Sequence, residues 1–278
     1  MREIAEVHNA ELRAVATSAV REAKNRNEFL KRARKEAGVN LEIISGIEEA
    51  RLIHLGAKYA VAVGEQPMLL CDIGGGSTEI VIAVGDEILL SRSFKLGAVR
   101  LTDRFFSTDA LHPSAVSSCR KFVRSMLATI KPEVAELGFE VAVGSSGTVE
   151  AIAKLIQQLN KQPEPKSFNR YEFSTDDITK VLDLLADVPT AKERQKAFGL
   201  DASRADIILA GAVILESVAL SFGATKFIYS DYALREGVLF DTLAREVLRE
   251  EQAEVAATTA AHRRAPGSLT PGVPASLT

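Results

Sequence analysis

The stretch that decides the fold is Leu69 to Val84, LLCDIGGGSTEIVIAV. An apolar run ends in Asp72, and Gly74, Gly75 and Gly76 follow. Ser77, Thr78 and Glu79 then lead into a second run, Ile80 to Val84. Both runs are short and rich in β-branched residues, so they read as strands. The glycines therefore sit in a strand–turn–strand. A Walker-type loop needs a Lys-Ser/Thr pair opening a helix, and a dinucleotide fingerprint needs a helix after its glycines. Neither is present. What remains is a hairpin tip whose bare backbone N–H groups can approach an anion closely, because no Cβ stands in the way. Asp72 at the strand end is a hard oxygen ligand suited to Mg²⁺. Ser77 and Thr78 add hydroxyl donors. The competing reading is a glycine-rich hairpin with no ligand; Asp before the glycines and Ser-Thr-Glu after them favour an anion site.

Outward from the hairpin, Gly85-Asp86 turns the chain into a third strand, Glu87 to Phe94, giving an antiparallel meander. Upstream, Met1 to Asn9 reads as the tail of a helix and Arg13 to Thr17 as a strand. One helix is expected from Ser18 to Ala37, stopped by Gly38, then a strand from Val39 to Ile44 and a helix opened by Ser45. Downstream, Pro113 to Leu137 has the stripe of a long amphipathic helix. A strand, Phe139 to Val143, runs into Gly144-Ser145-Ser146-Gly147-Thr148 and a helix, Val149 to Leu159. Helices are expected at Thr175–Ala186 and Ala202–Phe222, a strand at Thr225–Tyr229, and a last helix from Ala233 to about Glu254. From Ala256 the composition is aperiodic and reads as a disordered tail. The economical architecture is α/β with two lobes facing across a cleft: residues 1–98 with the hairpin, 99–254, and a tail at 255–278.

Bulk properties narrow the function. The 278 residues are 46% apolar and carry a net charge of −3, so nothing global points to a nucleic-acid coat or a membrane surface. There is no signal peptide and no apolar run of about 18 residues. Cys71 and Cys119 lack metal spacing and read as reduced, buried thiols of a cytoplasmic protein. His8, His54, His112 and His262 are scattered, so neither a Ser-His-Asp device nor a Cys nucleophile has support.

Three further features could carry chemistry. Ser45 and Glu48 fit a capping box, which leaves Glu49 unexplained; the positive end of the helix dipole should keep it ionised and able to orient or deprotonate water. An ordinary first-turn acid is the alternative. The segment Arg21 to Glu36 holds seven bases against three acids: either a solvated helix face or a steering patch for a polyanion. Within it, Arg21 is best placed to clamp phosphate. The 144–148 loop opens a helix, and so is either an anion or nucleotide site or a plain turn with Thr148 as cap.

Together these residues resemble the exopolyphosphatase / guanosine pentaphosphate phosphohydrolase (Ppx/GppA) family. The matching text is VATSAVREA (15–23), EIISGIEEARLIHLGA (42–57), CDIGGGSTEIVI (71–82), VAVGSSGTVEAIAK (141–154) and SDYALREGVLFD (230–241). The resemblance implies two RNase-H-like lobes of the actin, sugar-kinase and Hsp70 type. It implies metal-dependent attack of water on a terminal phosphoryl group of inorganic polyphosphate or guanosine pentaphosphate, with Mg²⁺ or another divalent cation. By it, Glu49 is the catalytic base, Arg21 guides the phosphate chain and Asp72 holds the metal. Gly74, Gly75, Gly76, Ser77 and Thr78 cradle the phosphate, Glu79 supports the water or metal, and Gly144 to Thr148 form the nucleotide-side loop. Such proteins open with an Asp-x-Gly-Ser-Asn-Ser phosphate loop and carry, in larger members, a C-terminal helical domain. Neither is found in this sequence, so a short form with an N-terminally truncated first lobe is expected. The expected function is that of a cytoplasmic, homodimeric phosphohydrolase. The alternatives are a non-catalytic module binding polyphosphate or guanosine tetraphosphate, or a sugar or acetate kinase.

Overall fold

The structure, a computed structural model, describes residues 2–106 and 111–264, with side chains as far as residue 253. From the N-terminus, α1 (Arg2–Val7) leads to β1 (Ala14–Ala16). Helices α2 (Ser18–Glu22) and α3 (Arg26–Ala37) cross to β2 (Leu41–Ile43), parallel to β1 with Ala14 opposite Leu41. The single helix expected over 18–37 is thus two, because Ala23 turns into extended backbone at φ −65°, ψ 131°. That break leaves Arg21 in the last turn of a short helix, from which it reaches Ile44 and Glu49. Gly38 ends α3 in the left-handed region at φ 62°. Helix α4 (Gly46–Val61) starts under Ser45, whose Oγ accepts the Glu48 N–H at 3.1 Å. Glu48 itself pairs with Arg51.

The main sheet has six strands: β3 (Met68–Ile73), β4 (Thr78–Val84), β5 (Glu87–Phe94), β6 (Val141–Ser145), β7 (Glu172–Ser174) and β8 (Lys226–Ser230), in the order β5-β4-β3-β6-β8-β7. The meander β3-β4-β5 is antiparallel, while β6 and β8 run parallel to β3. This is the strand order of an RNase-H-like lobe with β7 added at its edge. β3 is buried along its whole length because helices cover both faces. Period two sorts its side chains. Met68 and Leu70 pack with Ala50, Ile53 and Ala57 of α4. Leu69, Cys71 and Ile73 face the larger core. That core is closed by α5 (Ala98–Phe105), α6 (Ala115–Leu127), α7 (Lys131–Leu137), α8 (Gly147–Leu159), α9 (Thr175–Asp187) and α12 (Ile208–Phe222). α12 is apolar on nearly all sides, as a helix in the middle of a core must be.

The lobe division expected at residue 98 is corrected by this topology. The hairpin strands, assigned to the first lobe, share a sheet with β6 and β8, since Asp72 pairs in register with Ser145. Helix α5 runs across the expected boundary at residue 98. The helix expected over 113–137 breaks at Ala128–Ile130. α10 (Ala191–Phe198) and α11 (Ala202–Ala205) fill the gap before α12. Helices α9 and α10 both open with capping boxes, Ser174/Asp177 and Thr190/Glu193. The last helix, α13 (Leu234–Arg264), runs past Ala256; the rest of the expected tail, 265–278, lies outside the described residues. The strands belong to a compact unit ending at Val238, and a second unit starts at Leu239. No helix among the described residues is long and apolar enough to cross a membrane.

Gly97, just before α5, touches the hairpin tip. A Cβ there would stand 2.1 Å from the Gly75 carbonyl oxygen, and backbone cannot step aside as a flexible side chain could. Gly97→Ala is therefore expected to lower stability by about 2 kcal/mol or more. A urea midpoint equal to that of the parent would contradict this packing.

Candidate active site

Register builds the site. On β3, Asp72 falls on the same face as Met68 and Leu70, the face covered by α4. Its partner on β4 is Glu79 and its partner on β6 is Ser145. One step further out, Glu79 pairs with Ser93 and Ser145 with Ser230. A polar row thus crosses an otherwise apolar sheet at the end where α4 begins. The row satisfies itself: Ser145 Oγ donates to Asp72 Oδ2 at 2.5 Å and Ser93 Oγ to Glu79 Oε1 at 2.7 Å. The first turn of α4 sits over it. Gly46 makes this approach possible, since a Cβ there would meet Ser93 Cβ at 2.6 Å. Glu49, one turn of helix on, is brought to the same place and is buried.

The hairpin tip is fixed from outside. The Gly74 carbonyl accepts from Ala98 N–H at 2.9 Å, and the Gly75 carbonyl accepts from Val99 and Arg100 N–H at 3.0 and 3.2 Å. The Gly76 carbonyl accepts Arg100 Nε–H at 3.0 Å. The turn closes through Gly74 N–H to the Ser77 carbonyl at 3.0 Å. Among the described residues no acceptor serves the N–H groups of Gly75 and Gly76. They line a cleft of about 590 Å³ together with Glu49, Ser77, Thr17, Ser18, Ala19 and Arg100.

Electrostatically the site is an accumulation of buried acid. Burial first, then the Glu49 and Asp72 charges, push Glu79 up to about 8 against hydrogen bonds from Ser93 and Ser77. Burial, with Glu49 nearby, pushes Asp72 up to about 6 in spite of Ser145. Glu49 is also raised, chiefly by burial; Arg21 and Thr17 oppose the shift. Loss of water works against the ionised form that the positive end of the helix dipole favours. Arg21 Nη1 donates to Glu49 Oε2 at 3.1 Å and to the Ile44 carbonyl at 2.8 Å.

Other expected residues are placed differently. Arg21 pairs with Glu49 and is absent from the cleft lining. Thr78 is fully buried and its hydroxyl donates to the Leu96 carbonyl at 2.5 Å, which takes it out of the cradle. The 144–148 loop is divided. Ser145 joins Asp72, and Gly144 lies in β6, packed on Val149. Ser146, at φ 94°, caps α8 by accepting from Thr148 and Val149 N–H, the role expected of Thr148. Gly147 faces Arg204 in a separate cavity of about 240 Å³, and Thr148 packs on Gly211. Helix α3 has no buried residue, so the basic run beyond Arg21 is exposed, as both a solvated face and a steering patch require. Thr17, Ser18 and Arg100 were not singled out by sequence; only the hairpin contacts reveal them.

A family model described as the Ppx/GppA phosphatase family matches residues 2–246, a span that holds every residue of this site. The chain belongs to the Ppx/GppA phosphatase family. Exopolyphosphatase 1 of Mycobacterium leprae is 32% identical to it over 238 residues, covering 85% of this chain and 69% of that protein. The crystal structure of an Aquifex aeolicus Ppx/GppA family member is 31% identical with a TM-score of 0.76, covering 88% of this chain and 78% of that one. An exopolyphosphatase structure from Cytophaga hutchinsonii is 29% identical with a TM-score of 0.79, covering 87% and 78%. The chain thus has the Ppx/GppA fold.

The donor set fits a hard divalent cation by its chemistry. Asp72 and Glu79 stand side by side on paired strands and offer carboxylate oxygens, the hard ligands such an ion prefers. No three acidic, His or Cys side chains among the described residues converge closely enough to hold an ion alone. An ion there would draw its remaining ligands from water and from the bound anion, as Mg²⁺ does at phosphate sites.

The acid pile-up predicts a pH signature. Between the ordinary glutamate value of 4.5 and about 8, folded Glu79 keeps a proton that the unfolded chain has lost, so stability falls as pH rises through that window and levels off above it. In the presence of chelator, Glu79→Gln should be more stable than the parent at pH 8 by on the order of 1 kcal/mol or more, with the gap closing towards pH 4.5. Thermal melts across this range test it; parallel curves would refute the assignment.

Proposed function

We propose that this chain is a phosphohydrolase that releases terminal orthophosphate from inorganic polyphosphate, the same chemistry serving guanosine pentaphosphate. The observation that carries the reading is the hairpin tip. Its carbonyls are tied back, its Gly75 and Gly76 N–H groups are left for an anion, and Glu49 lines the same cleft. The names of the Mycobacterium leprae and Cytophaga hutchinsonii relatives, both exopolyphosphatases, support it.

In this reading the N–H groups of Gly75 and Gly76 hold the terminal phosphoryl oxygens. Glu49 takes a proton from a water that attacks phosphorus in line, and the bridging P–O bond breaks on the opposite side. Burial tunes the Glu49 carboxylate towards the neutral range, where a base is most effective, and Arg21 keeps it oriented. A divalent cation held at Asp72, with Glu79 beside it, would offset the charge on the transferring group.

The test is orthophosphate release from long-chain polyphosphate and from guanosine pentaphosphate with Mg²⁺. Glu49→Gln should lower kcat by about 10²- to 10⁴-fold while leaving binding largely in place. Undiminished kcat would remove Glu49 from the role of base. Tight binding by the parent without turnover would identify a binding module instead of an enzyme.

A further inference from the structure

Beside the hairpin tip, one carboxylate is held by two cations at once. Glu22 Oε2 lies 3.1 Å from Lys95 Nζ and 3.1 Å from Arg100 Nη2. The other edge of the same guanidinium donates Nε–H to the Gly76 carbonyl. Arg100 thus spans from the glycine turn to Glu22. Ser18 marks the same corner: its Oγ is 3.5 Å from Glu22 Oε1 and would stand 2.8 Å from a Cβ on Gly76. Burial works against the charged form of Glu22, yet Lys95 and Arg100 hold its carboxyl below the ordinary value. The three side chains keep 30%, 69% and 38% of their surface, so the cluster is open to exchange with ions from solution. Exposed pairs of this kind are weak. A phosphoryl group, with more charge and more oxygens, is a stronger partner for a planar guanidinium than a carboxylate is.

We propose that Lys95 and Arg100 form a second phosphate subsite beside the glycine turn, and that Glu22 occupies it as a resident anion displaced by an incoming phosphate chain. This rests on reading the cleft as a phosphoryl site. It adds where the phosphate chain runs, with the terminal phosphoryl on the turn and the next at the guanidinium. Orthophosphate alone would fill only the turn.

The subsite makes charge changes act with opposite signs. Isothermal titration of the full chain with inorganic tripolyphosphate and with orthophosphate, at fixed Mg²⁺ and ionic strength, reads this directly. Glu22→Gln should tighten tripolyphosphate binding about threefold or more, because the competing carboxylate is gone. Lys95→Ala should weaken it by a similar factor, and Arg100→Ala by about tenfold or more. For Glu22→Gln and Lys95→Ala the orthophosphate affinity should move less. A purely structural latch would behave otherwise: Glu22→Gln would weaken binding or leave it alone, and either result overturns the proposal, as does an unchanged Lys95→Ala. Should Arg100→Ala not fold, the other two variants decide, since neither touches the Gly76 carbonyl. A parent chain that binds neither anion would sink the phosphoryl-site reading together with this one. A parent that binds tripolyphosphate with no effect in the variants sinks only the subsite.

Discussion

The row Ser93–Glu79–Asp72–Ser145–Ser230 is the constraint on which the rest depends. β-strand pairing has a period of two, so a slip of one residue between β3 and either neighbour would send Glu79 or Ser145 to the opposite face. There it would meet the apolar core built on Leu69, Cys71 and Ile73. Burying an unpaired carboxyl or hydroxyl group in that core would be destabilising, the carboxyl severely so. The apolar pattern that fixes the sheet therefore also fixes the site. The two carboxylates come together because the strands that carry them can pair in only one way.

The same economy holds around the hairpin tip. Three glycines are needed, for reasons that differ by position. Gly76 leaves room for Ser18, Gly75 lies against Val99, and Gly97, from outside the turn, is met by the Gly75 carbonyl. Helix α5 satisfies its first N–H groups on the turn's carbonyls, where most helices use a side-chain cap. Its start and the shape of the cradle are one structure, so neither forms without the other.

Much of this was legible in the residues, and the limits have a physical cause. The strand–turn–strand reading of 69–84 and the helix start at Ser45 follow from local pattern and hold in the structure. What local pattern cannot supply is the partner from far along the chain. Thr78 reads as a phosphate ligand until Leu96 takes its hydroxyl. The pairing of Arg21 with Glu49, 28 residues on, is of the same kind. The hairpin was placed in the first lobe because the chain reaches it first, whereas the long-range pairing of Asp72 with Ser145 assigns it to the sheet of β6 and β8. Arg100 went unnoticed because its importance lies in a carbonyl 24 residues away.

The tying-back of the glycine carbonyls has one more consequence. A peptide unit whose oxygen already accepts a hydrogen bond carries a more polarised N–H, so bonds along such a chain reinforce one another. The peptide joining Gly75 to Gly76 has its oxygen on α5, and its N–H meets no acceptor among the described residues. An anion seated there would pull on the start of α5 through that one amide, and a frayed α5 would dull the donor. Affinity at the turn and order in the helix are therefore two readings of a single shared dipole.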